Sequence, residues 1–199
     1  MRPAMVHLKK CDPILRAIIE RVGPFRMSYR EPVFETLVRS IAFQQLNGKA
    51  AKTIFDRLVQ AAGGVLTPES ILALPEERMR ACGLSKQKLT YIRDLAASTA
   101  SGDIDFALLP QMTDEDVIAH LTRVKGIGVW SAQMFLMFAL RRADVMPVAD
   151  YGVRAAVMKA YRKRKLPNAA TLEKISRPWR PYRSVACWYL WRSLGGPAG

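Results

Sequence analysis

Residues 121–154 read LTRVKGIGVWSAQMFLMFALRRADVMPVADYGVR, and this stretch decides the fold. Gly126 and Gly128 flank the single aliphatic residue Ile127 between two segments of helical periodicity, the second at 129–140. Glycine adopts positive φ angles freely and has no Cβ, so such a turn can present successive backbone N–H groups to an anion at a helix N-terminus. The alternative is a tight turn between two helices with no ligand, because short glycine motifs also arise by chance.

Outside this stretch, apolar residues also recur at helical spacing, and no segment shows the sustained alternation of a strand. Asp12 followed by Pro13 predicts a helix start, and Gly23 predicts its end. Thr113 and Asp116 predict the start of the first helix of the glycine turn. The sequence therefore predicts an all-α protein. Further helices are predicted at 32–43, with Val33 buried, and at 49–62, 67–74, 75–82, 85–101, 151–161 and 182–194, after a loose segment at 1–10.

The charge balance points to a polyanionic partner. The chain has 31 Lys and Arg against 17 Asp and Glu, a formal net charge of +14. A surplus of this size favours binding through counterion release. A membrane surface is the competing polyanion, but no apolar run approaches the roughly 18–20 residues of a spanning helix, and no signal peptide opens the chain. We therefore expect a nucleic acid, with no membrane association.

The three cysteines, Cys11, Cys82 and Cys187, are odd in number and far apart, without a C-x-x-C pair. This pattern predicts neither a disulfide framework nor a zinc site, and it is typical of an intracellular protein.

A candidate catalytic carboxylate follows the glycine turn. Asp150 lies 22 residues after Gly128, within the segment PVADYGV at 147–153. The order of glycine hairpin, helix, short loop and aspartate resembles the helix-hairpin-helix (HhH-GPD) DNA glycosylases. The resemblance covers roughly residues 12–194 and implies two helical lobes with a cleft between them. On that pattern, residues 1–199 form one glycosylase unit, with a central lobe at about 31–144 that includes the hairpin and a second lobe at about 12–30 plus 145–194.

The details of the hairpin select a branch of this family. Members that also nick the strand have a lysine two residues after the second hairpin glycine, where this chain has Trp130. The endonuclease III branch has a four-cysteine iron–sulfur cluster, which these three cysteines cannot hold. The segment GIGVWSA resembles the alkylpurine branch, that of 3-methyladenine DNA glycosylase II, without the N-terminal β domain of its bacterial prototype. The resemblance implies a monofunctional hydrolase that removes 3-methyladenine and 7-methylguanine and leaves an abasic site.

Asp150 is the predicted catalytic residue, without metal catalysis. Cleavage of the N-glycosidic bond develops positive charge on the sugar, which a carboxylate stabilises, or the carboxylate orients the attacking water. The alternative is that Asp150 only caps the following helix. Asp144 is the second candidate.

The resemblance places four side chains around the base. Cationic alkylated bases stack favourably on aromatic rings. The alternative is that these aromatic residues, which recur at helical spacing, are buried in the core rather than exposed in a pocket. Met134 replaces a tyrosine of the prototype, and a softer wall there widens the expected substrate range to hypoxanthine, ethenoadenine or methylated cytosine. The predicted pocket residues are Trp130, Met134, Tyr151 and Trp191, and the predicted core aromatics are Phe135, Trp179 and Trp188.

Two segments are predicted to bind double-stranded DNA. The first is the hairpin of Lys125, Gly126, Ile127 and Gly128, at which the family also holds a structural monovalent cation. The second is a wedge, Gln45 and Leu46, expected to fill the gap left by the flipped base, because I-x-x-Q-Q-x-x-x-K-A-A at 41–51 resembles the family's wedge loop. A simple turn between helices is the alternative for the second segment.

The resemblance further implies a monomer, located with the DNA in the cytoplasm of a bacterium or in the nucleus of a eukaryote. The hypothesis from another class is a non-catalytic helix-hairpin-helix module that binds DNA without releasing a base.

Overall fold

The computed structural model describes residues 2–46 and 48–195, and this part of the chain is helical without a strand. The prediction of an all-α fold is therefore confirmed. The α-helices are α1 Arg2–Cys11, α2 Pro13–Val22, α3 Phe34–Phe43, α4 Gly48–Ala61, α5 Pro68–Ala73, α6 Glu76–Ala81, α7 Lys86–Ala100, α8 Asp114–Leu121, α9 Val129–Phe138, α10 Tyr151–Ala160, α11 Ala169–Ser176 and α12 Arg183–Ser193, with 3₁₀ turns at Leu109–Gln111 and Arg177–Trp179.

The chain divides into two compact units. Unit 1 comprises the described residues of Met1–Tyr29 and Leu136–Gly199. In this unit α12 packs against both α2 and α10. Every residue of α12 from Arg183 to Leu190 is buried, so this helix forms the centre of the unit.

Unit 2 comprises Arg30–Phe135, and so contains α3 to α8 and the first part of α9. Its longest helix is α7, which packs against α3, α5 and α6. The buried residues Leu89, Ile92, Leu95 and Ala96 form the apolar face of α7. The residues on the other faces of α7 can therefore contact neighbouring loops.

Local capping signals place the helix starts. The Asp12 side chain accepts hydrogen bonds from the N–H groups of Ile14 and Leu15, and Gly23 ends α2 at φ +85°. The Thr113 hydroxyl accepts a hydrogen bond from the Asp116 N–H and donates one to the Asp116 carboxylate. Such caps satisfy amide groups that have no acceptor within the helix. The predictions at these helix starts are confirmed.

Two predictions about local structure are wrong, and one helix was missed. Residues 2–11 form α1 rather than a loose segment, because Ala4 and Leu8 are buried and the helix packs against α2. Helix α11, which is capped by Asn168, was not predicted. Helix α3 begins at Phe34 rather than at residue 32, and Val33 is exposed. Tertiary packing, rather than an acidic capping signal, stabilises α1.

Among the described residues, none of the helices combines the length and the apolar character that crossing a membrane requires.

Candidate functional site

The glycine turn connects α8 to α9 and depends on the absence of a side chain at its first glycine. Gly126 has φ +82°, and a Cβ at this residue would lie 2.0 Å from Cδ2 of Tyr91. The Tyr91 ring therefore occupies the space that any other residue at 126 would need. Both the backbone angle and the packing restrict this position to glycine.

Neither the backbone angle nor the packing restricts position 128 to glycine. A Cβ at this residue would meet no atom within 4 Å, and its φ lies outside the left-handed region. The residue is exposed and directly precedes α9, where the first amide groups have no acceptor within the helix. The fold therefore tolerates a side chain at Gly128, and the open space beside these amide groups is suited to a close-approaching anion.

Helix α7 contacts the glycine turn through two side chains, Asp94 and Tyr91. The Asp94 carboxylate accepts a hydrogen bond of 2.8 Å from the Lys125 backbone N–H, and its other oxygen lies 3.5 Å from Lys125 Nζ. Tyr91 lies one turn earlier on the same helix and packs against Gly126. Sequence reasoning missed both α7 residues, and only their spacing of three residues hinted at a shared face. The Lys125 side chain remains well exposed, so its ion pair with Asp94 is weak.

The predicted wedge loop also contacts the turn. Gln44 Nε2 donates a hydrogen bond of 2.9 Å to the Gly126 carbonyl. Gln45 then takes φ +58°, which is costly for a residue with a side chain, and both Gln45 and Leu46 are exposed. Asn47 lies outside the described residues. Unit 2 therefore brings the hairpin and the predicted wedge loop together.

Lys88 fixes the base of this loop. Its ammonium donates a hydrogen bond of 2.7 Å to the Ala42 carbonyl in the last turn of α3. Desolvation by burial lowers the pKa of Lys88. The last carbonyl groups of a helix have no donor within the helix. The partly buried Lys88 ammonium supplies one to the Ala42 carbonyl.

Asp150 in unit 1 is a buried N-cap. Its Oδ1 accepts hydrogen bonds from the Val153 N–H at 2.7 Å and from the Trp191 indole N–H at 2.8 Å. The residue is 8% exposed. The N-terminus of α10 also stabilises negative charge. The capping interpretation is therefore correct as far as it goes, and it fixes the carboxylate in one orientation.

Trp191 reaches Asp150 because residue 152 is glycine. A Cβ at Gly152 would lie 2.9 Å from Trp191 Cδ1 and 3.2 Å from Asp150 Oδ1. The indole also stacks on Phe138, with ring centroids 6.0 Å apart. Burial raises the pKa of the Cys187 thiol, and the negative charge of Asp150 raises it further. The thiol is therefore a neutral part of the core.

Asp144, the second carboxylate considered from sequence, is held by two guanidinium groups. Arg183 donates to both carboxylate oxygens, at 2.8 and 3.1 Å, and Arg180 donates to Oδ2 at 3.0 Å. Such a paired carboxylate anchors the loop before Met146 to the start of α12. The arrangement favours a structural role for Asp144.

The four predicted pocket residues divide between the units. Trp130, which is 45% exposed, and Met134 follow one turn apart on α9 in unit 2. Tyr151, which is 71% exposed, and Trp191 belong to unit 1. That the four line one pocket remains a prediction. The three aromatic residues predicted as core are buried, namely Phe135, Trp179 and Trp188.

The described residues contain no group of three or more His, Cys, Asp or Glu side chains placed to hold a metal ion.

Comparison with known proteins gives consistent matches along the chain. The model of the HhH-GPD superfamily base excision DNA repair protein matches residues 38–181. DNA-3-methyladenine glycosylase 1 of Schizosaccharomyces pombe is 37% identical over 202 residues, which cover 96% of this chain and 86% of that protein.

Solved structures give the same result. The S. pombe 3-methyladenine DNA glycosylase in complex with abasic DNA has a TM-score of 0.86 and 36% identity, covering 99% of this chain and 98% of that one. A DNA-3-methyladenine glycosidase of Bacillus halodurans has a TM-score of 0.87 and 37% identity, covering 97% and 89%.

Proposed function

Because the chain belongs to the HhH-GPD superfamily of base excision DNA repair proteins, we propose that it is a DNA glycosylase. Its reaction is hydrolysis of the N-glycosidic bond of alkylated bases, such as 3-methyladenine and 7-methylguanine, in duplex DNA. The observation that carries the proposal is the fixed carboxylate of Asp150, which lies at the N-terminus of α10 and follows the hairpin at the family's spacing. The similarity to glycosylases named for 3-methyladenine supports the choice of substrate.

The catalytic role of Asp150 follows from the charge that develops during cleavage. As the bond between base and sugar breaks, positive charge builds on the sugar, and a fixed carboxylate stabilises it or orients water for attack at C1′. The Val153 N–H and the Trp191 indole hold Oδ1, so the carboxylate needs no reorientation during the reaction. A cationic alkylated base is already activated as a leaving group and requires no general acid.

The proposed enzyme is monofunctional. Strand cleavage in the bifunctional members of the family requires an amine that attacks C1′ and forms a Schiff base. The corresponding position, two residues after Gly128, is Trp130. The product is therefore an abasic site in an unbroken strand.

We assign recognition of the base to Trp130, Met134, Tyr151 and Trp191. Tyr151 is mostly exposed and Trp130 is nearly half exposed, although large aromatic side chains are usually buried. Stacking on such rings favours cationic purines over normal ones. A thioether at Met134 adapts to bases of different shape, which is the basis for the wider range of substrates expected from the sequence.

We assign the grip on the DNA backbone to the Lys125 side chain, Gly128 and the first amide groups of α9. Ile127, also predicted from the sequence to bind DNA, is buried and donates its N–H to the Val124 carbonyl, so it shapes the turn instead. A monovalent cation at the hairpin belongs to this proposal. The carbonyl oxygens of Val124 and Gly126 would hold it, because each accepts one hydrogen bond and has a second lone pair. The cation would add positive charge facing a phosphate. We further expect a monomer that is located with cellular DNA.

The test is release of free bases from duplex DNA treated with a methylating agent, followed by chromatography. The wild-type protein should release 3-methyladenine or 7-methylguanine, and the DNA should show no strand break until alkali is added. Asp150→Asn should release at least about 100-fold less at equal DNA binding. Release of hypoxanthine or ethenoadenine from duplexes that contain those bases, with no release from methylated DNA, would change the assigned substrate class. Binding without any release would support the non-catalytic module instead.

Two glycine variants test the grip separately from the chemistry. Gly128→Ala should leave the unfolding midpoint nearly unchanged, since a Cβ there meets open space, and should weaken DNA binding by crowding the phosphate. Gly126→Ala should unfold the turn, because its Cβ would overlap Tyr91. Equal DNA affinity of Gly128→Ala and wild type would contradict the assignment of the hairpin as the phosphate site.

A further inference from the structure

The wedge loop and the hairpin are separated by about 80 residues in sequence, yet both are fixed to one helix of unit 2. On α7, Lys88 holds the Ala42 carbonyl just before the loop, and Tyr91 fills the space beneath Gly126. Asp94 holds the backbone N–H of Lys125. These three residues follow at a spacing of three, so they lie along one side of the helix. The helix α7 therefore sets the separation of the two segments.

Gln44 joins the two segments directly. It is the C-cap of α3, and its side chain donates the 2.9 Å hydrogen bond to the Gly126 carbonyl. The next residue, Gln45, has φ +58°, and Gln44 is partly buried whereas Gln45 and Leu46 are exposed. Two adjacent glutamines thus have opposite environments. Only the second of them was predicted from sequence to have a role.

The carbonyl that Gln44 engages belongs to the residue on which the hairpin geometry depends. Gly126 is restricted to glycine by Tyr91 and by its positive φ. Any movement of this peptide group when the hairpin binds a phosphate is transmitted to Gln44, because a hydrogen bond of this length tolerates little displacement. Conversely, the fixed peptide group restrains Gln44 and hence the strained residue that follows it.

We propose that Gln44 is a positioning residue that couples the hairpin to the wedge, so that phosphate binding at residues 126–128 holds Gln45 and Leu46 in the orientation that enters the base stack. The inference rests on the proposed function, because it assumes that the hairpin and the wedge act on the same duplex. It extends that function by assigning the coupling to one side-chain amide, supported by Lys88, Tyr91 and Asp94 of α7.

The variants separate coupling from folding. Gln44→Met keeps the length of the side chain and removes the donor, and Gln44→Glu replaces the donor with an acceptor that faces the Gly126 carbonyl. Gln60→Glu is the matched control, because Gln60 is exposed in the same unit and the substitution changes the net charge equally. Thermal unfolding of each variant verifies that it is folded.

The probe is a duplex with a tetrahydrofuran abasic analogue and 2-aminopurine in the opposite strand. Its anisotropy reports binding, and the 2-aminopurine fluorescence reports unstacking by the wedge. No base is released in this assay, so its outcome is independent of whether alkylated bases are the substrate. Wild type and Gln60→Glu should bind and raise the fluorescence.

We expect Gln44→Met to bind within about threefold of wild type and to lose at least four fifths of the fluorescence increase, with Gln44→Glu showing the same or a larger loss. A purely structural role would reduce binding and fluorescence in the same proportion, and that result overturns the proposal. Retention of the full fluorescence increase by folded Gln44→Met overturns it as well. If wild type binds the duplex without raising the fluorescence, Gln45 and Leu46 do not enter the base stack, and that result also overturns the proposal, whereas failure of base release in the methylated-DNA assay counts against the proposed function.

Discussion

Two aspartates of unit 1, Asp12 and Asp150, have closely similar surroundings. Each is the N-cap of a helix, each is 8% exposed, and each accepts a hydrogen bond from a tryptophan indole, Trp179 for Asp12 and Trp191 for Asp150. Capping and burial therefore do not by themselves distinguish a structural carboxylate from a catalytic one.

The difference lies in what surrounds the two carboxylates. Asp12 Oδ2 accepts hydrogen bonds from both the Tyr161 hydroxyl and Trp179, and Trp179 is fully buried. Asp150 is followed by Tyr151, which is the most exposed large hydrophobic side chain of the described residues, and its tryptophan is only partly buried. Asp12 therefore lies between a fully buried tryptophan and a half-buried tyrosine, whereas Asp150 is followed by exposed aromatic surface. A cap and a catalytic group are compatible, since the cap fixes the carboxylate that the reaction uses.

The first prediction exchanges each carboxylate for an amide. Asp150→Asn should reduce single-turnover base release by at least about 100-fold, because the stabilising negative charge is lost. Asp12→Asn should keep the rate within about twofold but lose about 2–3 kcal/mol of unfolding free energy, since charged hydrogen bonds to Tyr161 and Trp179 are weakened. Urea unfolding and base release measured on the same preparations test this crossed result. A large loss of rate in Asp12→Asn would remove the distinction between the two sites.

The second prediction changes the two indoles. Trp191→Phe removes the N–H donated to Asp150, and we expect a loss of roughly 1.5–3 kcal/mol in stability together with about tenfold in rate at saturating protein. Trp179→Phe is the matched control, because it removes the same type of donor from Asp12 at a nearly equal distance. It should lose similar stability and retain its rate. Equal rates in the two variants would show that the indole does not position Asp150.

The third prediction concerns the glycine beside the catalytic candidate. In Gly152→Ala the new Cβ would lie 2.9 Å from the Trp191 ring, which must move away from Asp150. We expect a loss of about 1–2 kcal/mol in stability and a lower rate of base release, with DNA affinity preserved. Asp12 is followed by Pro13 and Ile14 and has no corresponding glycine. An unchanged rate in a folded Gly152→Ala protein would contradict the requirement for close packing of Trp191.

Local signals made both caps predictable from the sequence. Asp12 precedes proline and an apolar helical repeat, and Asp150 precedes a helix at the family's distance from the hairpin. The hydrogen bond between Asp150 and Trp191 was not predictable, because it joins residues 41 positions apart and leaves no periodic trace. Recognition of the motif selected both residues for the site without revealing that one holds the other.

The same limit applies to unit 2. The hairpin could be located from its two glycines. The reason why each position is a glycine could not be predicted, because only tertiary packing places Tyr91 against Gly126 and leaves open space at Gly128. The contribution of α7 and of Gln44 depends on contacts between distant segments. Helix α1 was missed for a related reason, since its stability comes from packing of Ala4 and Leu8.

The fourth prediction, with the smallest effect, distinguishes the two clusters by pH. Burial raises the pKa of Cys187, near Asp150, and burial together with the hydrogen bond to Asp12 raises the pKa of Tyr161. In the unfolded chain these groups ionise near pKa values of about 8.5 and about 10. Each contribution to stability is therefore complete below the unfolded pKa and is lost as the pH rises above it, because the unfolded chain ionises while the folded protein does not.

Cys187 alone should cost about 0.7 kcal/mol of unfolding free energy between pH 8 and pH 9. In Cys187→Ala this slope should decrease from about pH 8.5 upward, whereas in Tyr161→Phe the slope should change only above about pH 10. Urea unfolding at closely spaced pH values measures both, and slopes rather than absolute stabilities are compared because each substitution also removes packing. Burial also raises the pKa of Tyr189 to about 12, so part of the slope above pH 10 remains in both variants. Identical slopes in wild type and Cys187→Ala would mean that the Cys187 thiol ionises in the folded protein as it does in the unfolded chain, which would contradict its burial in the core of unit 1.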